Sequence, residues 1–262
     1  MRLYFLGTGS GTEPIPGYRH VSFAVEWAGG VYWFDAGEGC AYAAHTSGVD
    51  LRAVRAVFIS HTHTDHIGGL ANLIWTIRKL GRVDPASARK LADNTLQLFI
   101  PDLDVWEGVR AVVGGPVKDL SLGFNLRAER YEDGTIFDDG DLKVTALHNL
   151  HLGVPEDGQP WQSFSLRIEA GGKTIVFSGD TATVSEIGPL LDTTDLFLME
   201  TGHHKVEDIC MYLASSGKSF GRLAFIHHGR AILADPEGEA QKAGRILGKE
   251  VLITRDGMTL DV

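Results

Sequence analysis

His61-Thr62-His63-Thr64-Asp65-His66 decides how the rest of this chain reads. The stretch follows an apolar, β-type run, Val54-Arg55-Ala56-Val57-Phe58-Ile59-Ser60, and precedes Gly68-Gly69 and a helical pattern. Three imidazoles and a carboxylate within six residues are costly to desolvate unless something binds them. Zn²⁺ is the common tenant of such nitrogen and oxygen clusters. At an extended strand end, His61 and His63 point to one side at period 2. Asp65 and His66 lie where the chain turns and face a second point. One short loop therefore supplies two metal positions; the competing reading is an exposed polar loop.

Upstream, residues 3–6 read as a strand and Gly7-Thr8-Gly9-Ser10-Gly11 as a tight loop. The glycine spacing resembles a dinucleotide fingerprint, but Pro14 and Pro16 stand where a helix is needed. A loop letting the backbone approach the metal site is the better reading. Residues 21–27 and 31–34 flank Ala28-Gly29-Gly30, a hairpin signal, with Asp35-Ala36-Gly37 at its end and a short helix over 38–46. Downstream, Leu70, Leu73, Ile74 and Ile77 form the stripe of an amphipathic helix. Residues 82–95 read as polar surface, 96–101 as a strand, 104–113 as a helix, and 120–136 as strands around Phe124-Asn125-Leu126.

The second half repeats this outline. A strand over 142–147 leads to a hairpin of 164–169 and 173–177 about Ala170-Gly171-Gly172. A helix near 206–215 and a strand over 222–226, again ending in histidine, follow. Two such halves predict two sheets packed face to face with helices outside: an α/β fold, the four-layer αββα sandwich, with metals at one edge between the halves. No linker-like segment intervenes, so residues 1–262 read as a single domain built of two similar halves.

The 262 residues carry 24 basic and 34 acidic side chains, a net charge of −10. That balance argues against a general nucleic-acid binder, which presents a basic face. No apolar run reaches a membrane helix, and no signal-peptide pattern opens the chain. Only Cys40 and Cys210 are present, so no disulfide framework is implied and a cytoplasmic location is expected.

A dinuclear site needs about four to five donors per ion, so the second half must contribute. Its candidates at strand ends are His148, His151, Asp180, and His227 or His228.

The His61-x-His63-x-Asp65-His66 run, with Leu6-Gly7-Thr8-Gly9-Ser10 and Phe34-Asp35-Ala36-Gly37-Glu38-Gly39 upstream, resembles the metallo-β-lactamase superfamily. The resemblance is strongest to its ribonuclease Z-like branch and runs from residue 3 to about residue 230. It implies the same αββα fold and selects among the candidates. His151 is favoured over His148, and His227 over His228. Ser178-Gly179-Asp180-Thr181 matches a segment whose aspartate bridges both metals. The implied set is His61, His63 and His151 on one ion and Asp65, His66 and His227 on the other, with Asp180 shared. Two divalent ions are implied, Zn²⁺ first, with Mn²⁺ or Fe²⁺ as alternatives. Asp35 would hold a ligand histidine through its free ring nitrogen; a helix N-cap is the alternative. An aspartate rather than a cysteine at 180 argues against β-lactam cleavage.

The resemblance implies attack by a metal-bridging hydroxide. Met199-Glu200-Thr201-Gly202-His203-His204 resembles the segment that protonates the leaving oxygen, so His203 or His204 is the candidate general acid, with Asp65 as a further proton source. A surface histidine pair is the alternative. His20 and His45 read as structural.

The implied activity is that of a phosphodiesterase acting on a small or short phosphodiester. The long arm of transfer-RNA-processing members is absent between Glu169 and Ser178. Glu132, Asp133, Asp138, Asp139 and Asp141 would repel a polyanion if near the site. Extended nucleic acid and membranes are thus not expected as partners; a homodimer is allowed. The alternatives are a ribonuclease Z-like RNA endonuclease, or cleavage of a lactone, thioester or sulfate ester. From another class comes a non-haem iron redox protein, since these ligands also suit iron.

Overall fold

The computed structural model describes residues 1–11, 13–83, 94–116 and 121–262. The first half runs β1 (Arg2–Gly7), β2 (Ser22–Trp27), β3 (Gly30–Phe34), α1 (Cys40–Thr46), β4 (Val54–Phe58), α2 (Thr64–Ile67), α3 (Leu70–Val83), β5 (Thr95–Phe99), α4 (Leu103–Gly114) and β6 (Asn125–Glu129). The second runs β7 (Gly134–Asp138), β8 (Leu142–His148), β9 (Phe164–Ala170), β10 (Lys173–Phe177), β11 (Thr194–Glu200), α5 (Val206–Ser215), β12 (Phe220–Ile226), α6 (Arg230–Ala234), α7 (Pro236–Leu247), β13 (Val251–Ile253) and β14 (Thr259–Asp261).

Two seven-stranded sheets result, ordered β14-β1-β2-β3-β4-β5-β6 and β13-β12-β11-β10-β9-β8-β7. From β14 the first sheet is antiparallel through β1, β2 and β3, then parallel through β4, β5 and β6. From β7 the second repeats that pattern through β8, β9 and β10, then β11, β12 and β13.

Three apolar layers hold the sheets and helices together. Between the sheets, Phe23, Phe34, Phe58 and Phe99 stack across β2 to β5 at centroid spacings of 4.9, 5.0 and 5.1 Å. Phe177 from the other sheet meets Phe23 edge-on at 5.1 Å, the offset geometry that aromatic quadrupoles prefer. Outside the first sheet, Leu70, Leu73, Ile74 and Ile77 of α3 pack on Trp33, Val57 and Leu98. Outside the second, Ile209 and Leu213 of α5 pack with Phe197 and Phe225. This is the expected αββα sandwich.

The differences are local. The helix expected over 38–46 starts at Cys40 with Gly39 as its cap, so Asp35 caps nothing. The strands expected in 120–136 are β6 and β7. Most of the polar stretch 82–95, with residues 117–120, lies outside the described residues. β11, β13, β14 and α7 carry no sequence expectation; β11 lies between β10 and β12 in the second sheet. The acidic stretch divides between the two ends of the sheets. Asp139 and Asp141 accept from Arg55 Nη1 at 3.2 and 2.8 Å, beside the start of β4 and away from the His61 loop. Asp133 reaches the site end, where it pairs with His148.

Candidate metal centre

Donors gather where the C-terminal ends of β3, β4, β8, β10, β11 and β12 meet, the edge at which α/β sheets place their ligands. After β4 the chain leaves the sheet at Ser60 and turns into α2, which puts His61, His63, Asp65 and His66 on one loop. Three ring nitrogens converge first: His63 Nδ1 lies 3.1 Å from His61 Nε2 and 3.2 Å from His151 Nε2. Asp65 Oδ2, His66 Nε2 and His227 Nε2 form a second group, with Asp65 Oδ2 at 3.1 Å from His227 and 3.7 Å from His66.

Asp180 stands between the groups. Its Oδ2 lies 3.7 Å from both His61 Nε2 and His151 Nε2, and 3.4 Å from His66 Nε2. Its Oδ1 lies 3.3 Å from His227 Nδ1. The turn that presents it needs Gly179, at φ 57°, where an added Cβ would stand 2.6 Å from the Phe164 carbonyl.

Asp35 is fully buried and orients the loop from behind. Its Oδ1 accepts from Ser60 N at 2.7 Å, and its Oδ2 accepts from Ser60 Oγ and His66 Nδ1, both at 2.8 Å. With Nδ1 donating, His66 turns Nε2 inward.

The donor set fits a divalent cation on two observations. His66 Nε2, Asp180 Oδ1 and His227 Nδ1 are buried without a hydrogen-bond partner, an arrangement proteins avoid unless something else satisfies the atoms. Gly11 also lies against Asp65, where a Cβ would come within 2.9 Å of Oδ2.

Electrostatics without metal show the same tension. Burial pushes the His61 imidazole well down, helped by the neighbouring histidines. Burial also works against His66, but Asp180 and Asp35 outweigh it and push that ring up. For His227, Asp180, Asp65 and Glu200 overcome burial and raise it to about 9.

His203 stands beside the cluster, its ring 4.8 Å from His151 and its Nδ1 3.8 Å from Asp180 Oδ2. That Nδ1 donates to the buried Glu200, at 3.1 and 3.2 Å from the two oxygens, and this bond raises the His203 pKa. His204 turns to the other side of Glu200: its Nε2 lies 3.0 Å from both the carbonyl and the hydroxyl of Thr181 and 3.5 Å from Glu200 Oε1.

The other candidates separate cleanly. His148 Nδ1 pairs with Asp133 Oδ2 at 2.6 Å and stacks on Trp161, outside the donor groups. His228 donates from Nε2 to the Thr254 carbonyl at 2.7 Å and burial lowers its pKa to about 4. His20 and His45 belong to no donor group among the described residues. Glu200 stands within the segment 199–204 that the resemblance singles out, whereas Ser60 looks like a plain strand-end serine and pattern alone does not single it out.

A sequence profile described as the beta-lactamase superfamily domain matches residues 32–253. The chain belongs to the metallo-β-lactamase superfamily. As a member it is a metal-dependent hydrolase, and its relatives place it in the ribonuclease Z-like branch. Ribonuclease Z of Mycobacterium marinum is 25% identical over 91% of this chain and 90% of its own length. Ribonuclease Z of Picrophilus torridus is 32% identical, over 57% of this chain and only 44% of that protein. Among solved structures, the metallo-beta-lactamase fold protein YhfI from Bacillus subtilis superposes with a TM-score of 0.75 at 17% identity, covering 99% of this chain and 98% of that one. Human tRNase Z, short form, gives 0.68 at 20% identity, covering 100% and 99%. Proteins of this fold bind divalent metals, in keeping with the His and Asp cluster.

Proposed function

We propose that this chain is a phosphodiesterase that hydrolyses a small or short phosphodiester with two divalent ions, Zn²⁺ or a close substitute. His61, His63 and His151 would hold one ion, Asp65, His66 and His227 the other, and Asp180 both. Bound there, such ions supply Lewis acidity and lower the pKa of a water nucleophile. The chain's own groups do the rest. Asp35 fixes the His66 tautomer, and Asp180 offsets the mutual repulsion of two dications.

His203 donates a proton to the leaving oxygen, and Glu200 raises its pKa so that it holds that proton more firmly. This pair carries the reading. An imidazole whose pKa is raised by a buried carboxylate, standing beside His151 and Asp180, matches a reaction in which an alkoxide must depart. The ribonuclease Z relatives support a phosphodiester as the bond.

The loop bearing His151 supports a small substrate. From residue 149 to 163 it has no Lys or Arg, and Leu150, Leu152 and Val154 beside His151 are exposed. Large RNAs draw much of their affinity from cations against phosphates, whereas apolar side chains suit an organic substituent. β9 and β10 are joined by Gly171-Gly172 alone, with no projecting arm. The core shared by both sheets supports one domain over residues 1–262, and two free buried cysteines suit the cytoplasm.

A panel of metal-loaded assays tests this. Bis(4-nitrophenyl) phosphate should be cleaved faster than 4-nitrophenyl phosphate, a lactone or a thioester. Silence on every phosphodiester with clear lactone or thioester turnover overturns the reading. Efficient cleavage of a folded precursor transfer RNA alone would favour the endonuclease that the relatives' names suggest.

A further inference from the structure

His227 carries a left-handed backbone, φ 52°, just past the end of β12. Side chains with a Cβ rarely adopt that region, and such residues persist only where their surroundings hold them. The ring of His227 meets Asp65, Asp180 and Glu200, themselves groups of the site, and its carbonyl accepts from Thr201 N at 3.3 Å.

The next residue ties that backbone to more distant parts of the chain. His228 is fully buried and tied to three segments far apart in sequence. Its N–H donates to the Thr8 carbonyl at 2.7 Å. Its carbonyl accepts from Ser10 N at 3.2 Å and Ser10 Oγ at 2.9 Å. Its Nε2 donates to the Thr254 carbonyl at 2.7 Å, and Tyr18 presents a ring edge to it at 6.2 Å. The loop after β1, the end of β12 and the turn after β13 are thereby locked around one residue. Rotating His227 out of the left-handed region would break several of these bonds at once.

We propose that His228 is a positioning residue, which fixes the backbone of His227 and so the ion position made with Asp65 and His66, without itself touching ion or substrate. The inference rests on reading His227 as a ligand.

His228→Phe tests it. The ring volume and the Tyr18 edge are kept, and the donor to Thr254 is lost. Ions per chain and the two affinities are measured by titrating metal-free protein with Zn²⁺, beside the thermal midpoint of the metal-free form. Wild type should bind two ions. The variant should keep one unchanged and bind the other about 10–100-fold more weakly, the usual effect of losing a group that supports a ligand. His228→Gln, whose amide N–H reaches about as far as Nε2, should recover most of the loss. A purely structural defect would weaken both ions together, and that result, or two unaltered affinities, overturns the proposal. Should His228→Phe fail to fold, Ser10→Ala decides, since it loosens the same lock from the other side and must weaken the same single ion. Wild type binding fewer than two ions overturns the ligand reading first, before any substitution is made.

Discussion

Removing the His203 imidazole isolates proton delivery from metal binding. His203 also falls in a donor group with Asp180, Glu200 and His227, but it belongs to neither of the two histidine-rich groups around His61 and His66. In His203→Ala the Asp180 and His227 donors remain, so two ions should stay bound. What disappears is an imidazole whose Nδ1 donates to Glu200 at 3.1 and 3.2 Å, whose pKa that bond raises above the ordinary imidazole value, and whose Nε2 would carry the transferable proton. General acid catalysis contributes about 10²–10⁴-fold, or about 3–5 kcal/mol of barrier at 1.36 kcal/mol per decade. The whole of that loss should appear in kcat for an alkyl phosphodiester, whose alkoxide leaves poorly. Little should appear for a nitrophenyl ester, which departs without a proton. Glu200→Gln should move the alkaline limb of kcat to lower pH, because the carboxylate that raises the His203 pKa is gone. Steady-state kinetics on the two leaving groups, with metal content measured in parallel, read all of this. Equal losses on both esters, or loss of an ion with the imidazole, would refute the assignment.

Asp180→Ala should release at least one ion per chain and abolish turnover, as measured by metal analysis after gel filtration. Metal affinity should rise with pH up to about 9, because His66 and His227, both raised, must shed protons to bind an ion; chelator competition at several pH values checks this. The sign for the metal-free protein follows from the same shift. His227 contributes stability that is full below about 6.5 and is lost as pH climbs through about 9, so the thermal midpoint should fall over that window without metal and hold with it. Phe58→Ala removes the middle of the stacked ladder and should cost about 3–5 kcal/mol in denaturant unfolding, leaving the ion count unchanged.

The first half of the site is legible because its donors are consecutive. His61, His63, Asp65 and His66 leave one strand together, so spacing alone announces them. The two Ala-Gly-Gly hairpins and the α3 stripe are legible for the same local reason. Where the outcome depends on distant partners, pattern runs out. His227 and His228 are neighbours, and alternation says only that they face opposite sides. Which one turns inward is set by the left-handed φ of His227 and by Thr8, Ser10 and Thr254, none of them near in sequence. His148 and His151 are separated the same way, by Asp133 and Trp161 taking His148. β14 is three residues long and exists because Arg2 to Tyr4 offer an open edge, and α7 buries only Ala243, too little apolar stripe for periodicity to register.

The repeated pairing pattern explains why the site draws on so many strands. In each sheet the parallel strands must all end at one edge, so β3 and β4 deliver Asp35 and the His61 loop where β10, β11 and β12 deliver Asp180, Glu200 and His227. Face-to-face packing brings the two edges together, and β8 adds His151 from the antiparallel side. The first half contributes its donors as a run because α2 begins within the loop after β4 and turns the chain back on itself. The second half contributes them singly, one per strand end, so each sits in an unremarkable local sequence. The same geometry places Asp180 between the donor groups, because β10 is the strand whose exit faces both the His61 loop and His227. A carboxylate at that exit can serve both positions at once, which a residue at any neighbouring strand end would reach from one side only.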